Sequence, residues 1–115
     1  MDDVRIRWAE LVDAESVFGL LTQFATSYGP ARAVFEQSYP RLLAATASNG
    51  VEFLVAESED TVVAFALTLR FLTLYANGPI VELQELMVAP RARGRGIGAG
   101  LVRAVIDRAR AGGAR

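Results

Sequence analysis

The stretch from Arg91 to Gly100 carries the residue types and spacing best suited to chemistry in this chain. It reads R-A-R-G-R-G-I-G-A-G, so that glycines occupy every second position from Gly94 onward. Glycine leaves backbone N–H groups uncovered, which lets a bulky anion approach them. A strand-like apolar run ends at Val88, and a helical pattern begins at Ile97. Because a helix N-terminus directs N–H groups and a positive dipole at anions, this order predicts a phosphate-binding loop.

Two common phosphate-binding motifs fit this loop poorly. A Walker P-loop ends in Gly-Lys-Ser/Thr, and the sequence contains no lysine. A dinucleotide fingerprint is matched formally by Gly94-x-Gly96-x-x-Ala99, but its glycines should directly follow the first strand of a βαβ unit. Here the segment from Pro90 to Arg93 intervenes. Close packing of the helix on the sheet is a further explanation for the glycines.

The residues Leu86 to Pro90, followed by Arg93 to Leu101, resemble the acetyl-CoA-binding motif of the GNAT superfamily of N-acetyltransferases. The family pattern Gln/Arg-x-x-Gly-x-Gly/Ala is met by Arg93, Gly96 and Gly98. The order of the predicted elements fits along essentially the whole chain. The resemblance implies an α+β (mixed α/β) fold in the order β-α-α-β-β-β-α, with a mainly antiparallel sheet.

The resemblance also implies that acetyl-CoA is the cosubstrate and assigns residues to it. Backbone N–H groups of the loop would hold the pyrophosphate: Arg93, Gly94, Arg95, Gly96, Ile97, Gly98 and Ala99. Backbone groups of Leu86, Met87 and Val88 would pair with the pantetheine arm as an added strand. In the family a bulge in this strand admits the thioester, and a strand N–H can polarise the acetyl carbonyl.

Glu82 and Glu85 lie on the strand that enters the motif and are the candidate catalytic residues. Acetyl transfer needs a neutral amine, so a base must remove its proton. Some family members use a carboxylate at the position that matches Glu82. An odd spacing along a strand directs two side chains to opposite faces, so we expect at most one of them to face the acetyl group. Alternatively, one or both face solvent or pair with an arginine.

Tyr28 is the candidate substrate-binding residue. It lies in the least regular part of the sequence, residues 27–39, which could form the wall of a substrate cleft. Tyr39 and Tyr75 are weaker candidates. Phe35 and Tyr39 have the helical spacing typical of core residues.

The composition excludes several classes of protein. A length of 115 residues with 52% hydrophobic residues fits one domain, residues 1–115, with a modest core. Histidine and cysteine are absent, which excludes disulfides, Cys/His metal sites and a Ser-His-Asp triad, and we expect no metal. A net charge of −1 argues against a nucleic-acid partner. Neither a membrane span nor a signal peptide is recognisable, so we expect a cytoplasmic protein with no membrane partner.

Hydrophobic periodicity predicts the individual elements. A short strand precedes a helix that should end before Tyr28, and a second helical pattern follows over residues 31–49. That pattern contains Pro40, and since proline suits only the first turn of a helix, we expect a break or a fresh start near Ser38. The remaining elements are three strands and a helix, at Val51–Glu57, Thr61–Leu74, Ile80–Val88 and from about Ile97 to the Gly112-Gly113 pair.

The predicted elements stop where members of the superfamily usually continue into a fifth strand, a fourth helix and two C-terminal strands. The strand Ile80–Val88 would then be an exposed apolar edge, which natural proteins avoid. We therefore expect either a fragment of a longer chain, with little activity alone, or a homodimer covering the Ile80–Val88 edge. Two functions remain open: an N-acetyltransferase acting on a primary amine of a small molecule or protein, and a non-catalytic acyl-CoA-binding or interaction module.

Overall fold

A computed structural model describes residues 4–23, 30–46 and 50–114 as a four-stranded sheet with helices on both faces. Short 3-10 turns, Leu11–Asp13 and Pro90–Ala92, lead into the first and last helices. The elements in chain order are β1 (Val4–Trp8), α1 (Ala14–Gln23), α2 (Arg32–Ala45), β2 (Val51–Ser58), β3 (Thr61–Thr73), β4 (Gly78–Val88) and α3 (Ile97–Ala111). This confirms the predicted order β-α-α-β-β-β-α and the α+β class.

The strands lie side by side in chain order, β1-β2-β3-β4, and each neighbouring pair is antiparallel. A two-residue turn at Glu59 and Asp60 joins β2 to β3, with φ angles of 53° and 63°. Left-handed conformations at both positions match the twist of a tight hairpin. The long hairpin of β3 and β4 places β4 at one edge of the sheet, beside the segment that leads into the glycine loop.

The hydrophobic core forms two layers, one on each face of the sheet. On one face, Val17 of α1 and Tyr39 of α2 are buried, as are Phe53 of β2 and Phe65 of β3. These four residues also line one cavity. On the other face, Ile97 and Leu101 of α3 are buried. We refer to these as the α1–α2 face and the α3 face. Strand β4 therefore presents alternate residues to two different environments.

Helix α2 runs without a break through Pro40, so the expected break near Ser38 is wrong. The face of α2 that carries Phe35 and Tyr39 packs into the core, where their rings lie 5.3 Å apart. Pro40 is exposed, as is Glu36, whose carbonyl is the one that loses its N–H partner to the proline. Because solvent can reach this side of the helix, tertiary packing of the apolar face outweighs the local cost of the proline.

The junction of β1 and α1 is held by Arg7 and Asp13. The Nη1 and Nη2 atoms of Arg7 donate to the two carboxylate oxygens of Asp13, at 2.8 and 2.9 Å. The N–H of Glu10 also donates to Asp13, at 2.8 Å, and Nε of Arg7 donates to Glu57, at 3.3 Å. The Asp13 side chain is only 5% exposed. The guanidinium of Arg7 lowers the pKa of Asp13, which keeps this buried carboxylate charged.

Candidate active site

The glycine loop forms a concave surface at the start of α3. Gly94 and Gly96 have φ angles of +80° and +76°, in the left-handed region that favours glycine. Gly96 is the N-cap of α3, and the N–H of Gly100 donates to its carbonyl at 2.9 Å. The N–H groups of residues 97–99 precede this first helical hydrogen bond, so they have no partner within the helix. They are available to an anion at the positive end of the helix dipole.

A cavity of about 280 Å³ lies against this surface, and we call it the loop cavity. Most of the residues predicted to bind the cosubstrate line it, together with Ala92. The predicted residues in its lining are Val88, Arg93, Gly94, Gly96, Ile97, Gly98 and Ala99. Arg95, Leu86 and Met87 are not among the described residues that line this cavity.

Close helix–sheet packing does not account for the glycines. A Cβ atom added at Gly94 or Gly96 would meet no heavy atom within 4 Å. A Cβ atom at Gly98 would lie 3.4 Å from Cγ2 of Val88, and one at Gly100 would lie 3.8 Å from Cδ1 of Ile6, both ordinary contacts. An added methyl group at Gly98 would occupy space beside Val88, on the wall of the loop cavity. The glycines therefore keep the surface open instead of bringing the helix closer to the sheet.

Two arginine side chains fix the loop to the sheet. Arg93 donates through Nε to the carbonyl of Val88 at 3.3 Å. Arg95 donates through Nη2 to the hydroxyl of Ser58 at 3.0 Å. Ser58 is buried at the end of β2, and this role was not predicted because Ser58 resembles a residue of a polar turn. Arg95 thus anchors the loop to the end of β2.

The edge of β4 presents backbone groups beside the loop cavity. The N–H of Ala89 donates to the carbonyl of Val63 on β3 at 2.7 Å. Since alternate residues of an antiparallel strand direct their backbone groups to the same side, Leu86 and Val88 direct theirs away from β3. Met87 directs its N–H and C=O toward β3. Of the three residues predicted to pair with pantetheine, Leu86 and Val88 are the two at the open edge.

A β-bulge interrupts the pairing of β3 and β4. Leu67 pairs with Glu85 and Thr68 pairs with Leu83, so Gln84 is an extra residue on β4. A bulge of this kind bends the strand and increases its twist. It lies two residues before Leu86, the first of the two edge-facing residues that border the loop.

The bulge changes the orientation of the two candidate bases. Glu82 pairs with Leu69 and Glu85 pairs with Leu67. Leu67 and Leu69 are two residues apart and share one face of β3, so Glu82 and Glu85 also share a face. The expectation that their odd spacing directs them to opposite faces is therefore wrong. Because Gln84 is an extra, unpaired residue, Glu82 and Glu85 are separated by an even number of paired positions.

Glu85, and not Glu82, lines a cavity on the α1–α2 face. Glu82 is exposed and accepts a hydrogen bond from Nε2 of Gln84 at 3.2 Å. Glu85 is half-buried, and no other described residue forms a hydrogen bond or an ion pair with its carboxylate. Burial raises the pKa of Glu85, because a partly dry site disfavours the charged form. A carboxylate with a raised pKa is a stronger base, as proton abstraction requires.

The cavity beside Glu85 has a volume of about 240 Å³, and we call it the aromatic cavity. Residues of α1, α2 and the sheet contribute to its lining. Its larger side chains are Phe35, Tyr39, Leu42, Phe53, Phe65 and Leu67. It adjoins β4 from the α1–α2 face, whereas the loop cavity is formed by α3, which covers the other face. The open edge of β4 lies between the two.

The three tyrosines considered from the sequence have different positions. The hydroxyl of Tyr39 donates to the carbonyl of Glu10 at 2.7 Å, and burial raises the pKa of Tyr39 to about 12. It is therefore a wall residue of the aromatic cavity and a poor proton donor. Tyr75 is 80% exposed in the turn that joins β3 and β4. Tyr28 lies outside the described residues.

The described residues contain no helix long and apolar enough to cross a membrane. Within the same ranges, no cluster of acidic residues could hold a metal ion.

The comparison with protein families identifies the class to which this fold and glycine loop belong. The sequence profile of the Acetyltransferase (GNAT) family matches residues 15–115. The chain belongs to this family. A search of curated proteins gives no match.

Solved structures share the fold at low sequence identity. A transcriptional regulator from Bacillus halodurans C-125 has a TM-score of 0.83 and 22% identity, over 98% of this chain and 78% of that one. Glucosamine-6-phosphate N-acetyltransferase from Arabidopsis thaliana has a TM-score of 0.81 and 19% identity, over 97% and 78%. An aminoglycoside N-acetyltransferase in complex with CoA has a TM-score of 0.80 and 22% identity, over 100% and 74%. At these identities the likeness concerns the fold alone.

Proposed function

We propose that this chain is an N-acetyltransferase that moves the acetyl group of acetyl-CoA directly to a primary amine. One observation carries the proposal: the loop cavity, with its left-handed glycines and uncovered helix N-terminus, lies beside an open strand edge. Membership of the GNAT family supports acetyl transfer. The structural neighbour in complex with CoA supports acetyl-CoA as the donor.

The residues present fit the donor in two places. A diphosphate would be held by the N–H groups of residues 97–99, where the loop cavity has about 280 Å³ of space. The amide groups of a pantetheine arm would pair with the outward-facing backbone groups of Leu86 and with the N–H of Val88, whose carbonyl already accepts a hydrogen bond from Arg93. Both sites depend on backbone groups, so they require open glycine conformations and an uncovered edge more than particular side chains.

Glu85 is the proposed base. It takes a proton from the amine, whose nitrogen forms a bond to the acetyl carbon. The C–S bond breaks, and its electron pair leaves with the CoA thiolate. No acyl-enzyme is formed, which suits a chain without cysteine. Glu82 shares the face of Glu85 but is exposed and further from the edge-facing residues, so it is the weaker candidate.

Binding and turnover assays test the proposal in two stages. Calorimetric titration should show that CoA binds, and that pantetheine, which lacks the pyrophosphate, binds at least about tenfold more weakly, because it loses charge-assisted hydrogen bonds at the loop. Thiol release from acetyl-CoA should then depend on added amine. CoA binding without turnover would favour the non-catalytic acyl-CoA-binding module. Failure to bind CoA would contradict both functions.

For the chain without bound donor, we also propose that a second copy covers the Ile80–Val88 edge, where it competes with the pantetheine arm. Within the described residues β4 pairs with β3 alone, and Leu83 and Leu86 on its α3 face are 39% and 37% exposed. An uncovered apolar edge favours association. Light scattering on the purified chain should give the mass of a dimer, and a monomer at all concentrations would contradict this proposal.

A further inference from the structure

We infer that the acceptor is a small primary amine with a compact aromatic or aliphatic body, bound in the aromatic cavity with its ammonium group at Glu85. This inference names the acceptor class for the proposed acetyltransferase and so rests on that function. It is carried by the shape, lining and single charge of the aromatic cavity. The donor site plays no part in it.

The wall of the cavity is a continuous series of aromatic rings. Ring centroids of Phe35 and Tyr39 lie 5.3 Å apart, those of Tyr39 and Phe53 lie 5.7 Å apart, and those of Phe53 and Phe65 lie 5.6 Å apart. These tilted and edge-to-face pairs hold one another in place. The hydroxyl of Tyr39 is bound to the carbonyl of Glu10, so Tyr39 contributes an apolar ring surface to the cavity.

The volume limits the size of the acceptor. An apolar cavity of about 150 Å³ holds benzene. The aromatic cavity, at about 240 Å³, therefore has room for one ring and a short chain ending in an amine. An aminoglycoside, which consists of several sugar rings, is larger than this volume.

The charge of the lining selects the functional group. Among the described residues that line the cavity, Glu85 alone carries a charge, and Ser38 at its rim supplies a hydroxyl. A half-buried carboxylate without a partner is costly unless a cation joins it. An ammonium group supplies that cation and becomes the nucleophile once its proton passes to Glu85. A phosphorylated sugar would meet a carboxylate where its phosphate needs a cation.

Three probes test separately the two parts of this inference, the apolar body in the cavity and the ammonium group at Glu85. The amine 2-phenylethylamine has both the ring and the charge, ethylamine lacks the ring, and 2-phenylethanol lacks the charge. Binding of each is measured by calorimetry to the full chain, both free and saturated with CoA. We expect 2-phenylethylamine to bind at least about tenfold more tightly than either of the others, because burying a ring and pairing the carboxylate each contribute that much.

Two variants on neighbouring, exposed positions of α2 locate the site. In Ser38→Phe a large ring enters the rim of the cavity and should weaken the binding of 2-phenylethylamine by about tenfold or more. Gln37→Phe adds the same ring at a position outside the described lining and should leave binding unchanged. In Glu85→Gln the preference for the amine over 2-phenylethanol should disappear, while 2-phenylethanol still binds.

The outcomes separate this inference from the proposed function. If CoA binds but ethylamine binds as tightly as 2-phenylethylamine, the acceptor class is wrong and the acetyltransferase proposal stands. Equal effects of Ser38→Phe and Gln37→Phe would also overturn the acceptor site. If 2-phenylethylamine binds with the expected variant pattern and CoA does not, the cavity is an amine site and the proposed function fails.

Discussion

Two partly or fully buried carboxylates of this chain have opposite surroundings. Asp13, at the junction of β1 and α1, accepts two hydrogen bonds from Arg7 and one from the N–H of Glu10. Glu85, at the edge of β4, faces an aromatic cavity and has no such partner among the described residues. The surroundings lower the pKa of Asp13 and raise the pKa of Glu85.

This difference separates a structural charge from a candidate functional one. The hydrogen bonds of Asp13 connect β1 to the turn that leads into α1 and compensate for its burial, so its charge serves the fold. Nothing in the described structure compensates for the burial of Glu85, and its neighbours leave an open space beside it. An uncompensated acid beside a cavity is the arrangement that a proton-transfer site requires. Three experiments test this contrast and a fourth tests the loop cavity; they are ordered from the largest expected effect to the smallest.

The largest effect is expected on catalysis from Glu85→Gln. If Glu85 is the base, kcat/KM for the amine should fall by about 10²- to 10⁴-fold, since the variant cannot accept a proton. The affinity for CoA should not change. Steady-state thiol release provides the measurement, and Glu82→Gln, on the same face of the same strand, is the control. Equal losses in the two variants would refute the assignment of Glu85.

The second effect concerns stability and comes from Asp13→Asn. Removing the charge leaves the guanidinium of Arg7 largely buried with a weaker partner, which should lower the free energy of unfolding by about 3 kcal/mol. Urea unfolding followed by circular dichroism measures this change. Glu15→Gln breaks the solvent-exposed pair with Arg32 and should have a much smaller effect. In contrast to Asp13→Asn, Glu85→Gln should not destabilise the fold at pH 7.

The third effect comes from alanine at left-handed glycines at the two ends of α3. Gly96 and Gly113 have φ angles of +76° and +84°, and a Cβ atom at either would meet nothing within 4 Å. Each substitution should therefore cost about 1 kcal/mol of stability through backbone strain. Only Gly96→Ala should weaken CoA binding, by about tenfold or more, because its methyl group lies beside the N–H groups. Equal CoA affinities in the two variants would argue against the loop cavity as the diphosphate site.

The smallest effect is a pair of opposite pH responses. The contribution of Asp13 is present above its unfolded pKa of about 3.8 and is lost as the pH falls through its lower folded pKa. The stability difference between the wild type and Asp13→Asn should therefore shrink in acid. The folded pKa of Glu85 is raised above 4.5, so its favourable protonated state is lost as the pH rises through that folded pKa.

Glu85→Gln should consequently gain stability relative to the wild type as the pH rises above about 4.5. Unfolding curves across the pH range for the three proteins make the comparison. If the two differences moved in the same direction with pH, the contrast between the carboxylates would be wrong.

Local features of the sequence predicted the glycine loop well. The alternation of glycines, the proline before them and the helical pattern after them all act over a few residues, and the structure has the same elements in the same order. The strand boundaries were also close, because the apolar runs stop at polar or glycine-containing turns.

The errors lie where distant segments decide the outcome. Pro40 argued for a break, but the packing of Phe35 and Tyr39 against the sheet keeps α2 continuous. The bulge at Gln84 exists because of how β4 pairs with β3, and no turn residue marks it. The aromatic cavity joins residues from α2, β2 and β3 that are far apart in the chain. Sequence reasoning therefore found the candidate donor site, and of this cavity it predicted only that residues 27–39 could form a wall, to which Phe35, Ser38 and Tyr39 belong.

The bulge at Gln84 also divides β4 into two halves in which the side-chain alternation is reversed. Before the bulge, within residues 78–83, the even-numbered side chains face α1 and α2. After it, within residues 85–88, the odd-numbered side chains do. Inserting or deleting a single residue at this point would therefore exchange the two faces of half the strand. A substitution would alter only one position. An alignment of this strand with an unbulged strand, made without a gap, would assign the side chains of one half to the wrong face of the sheet.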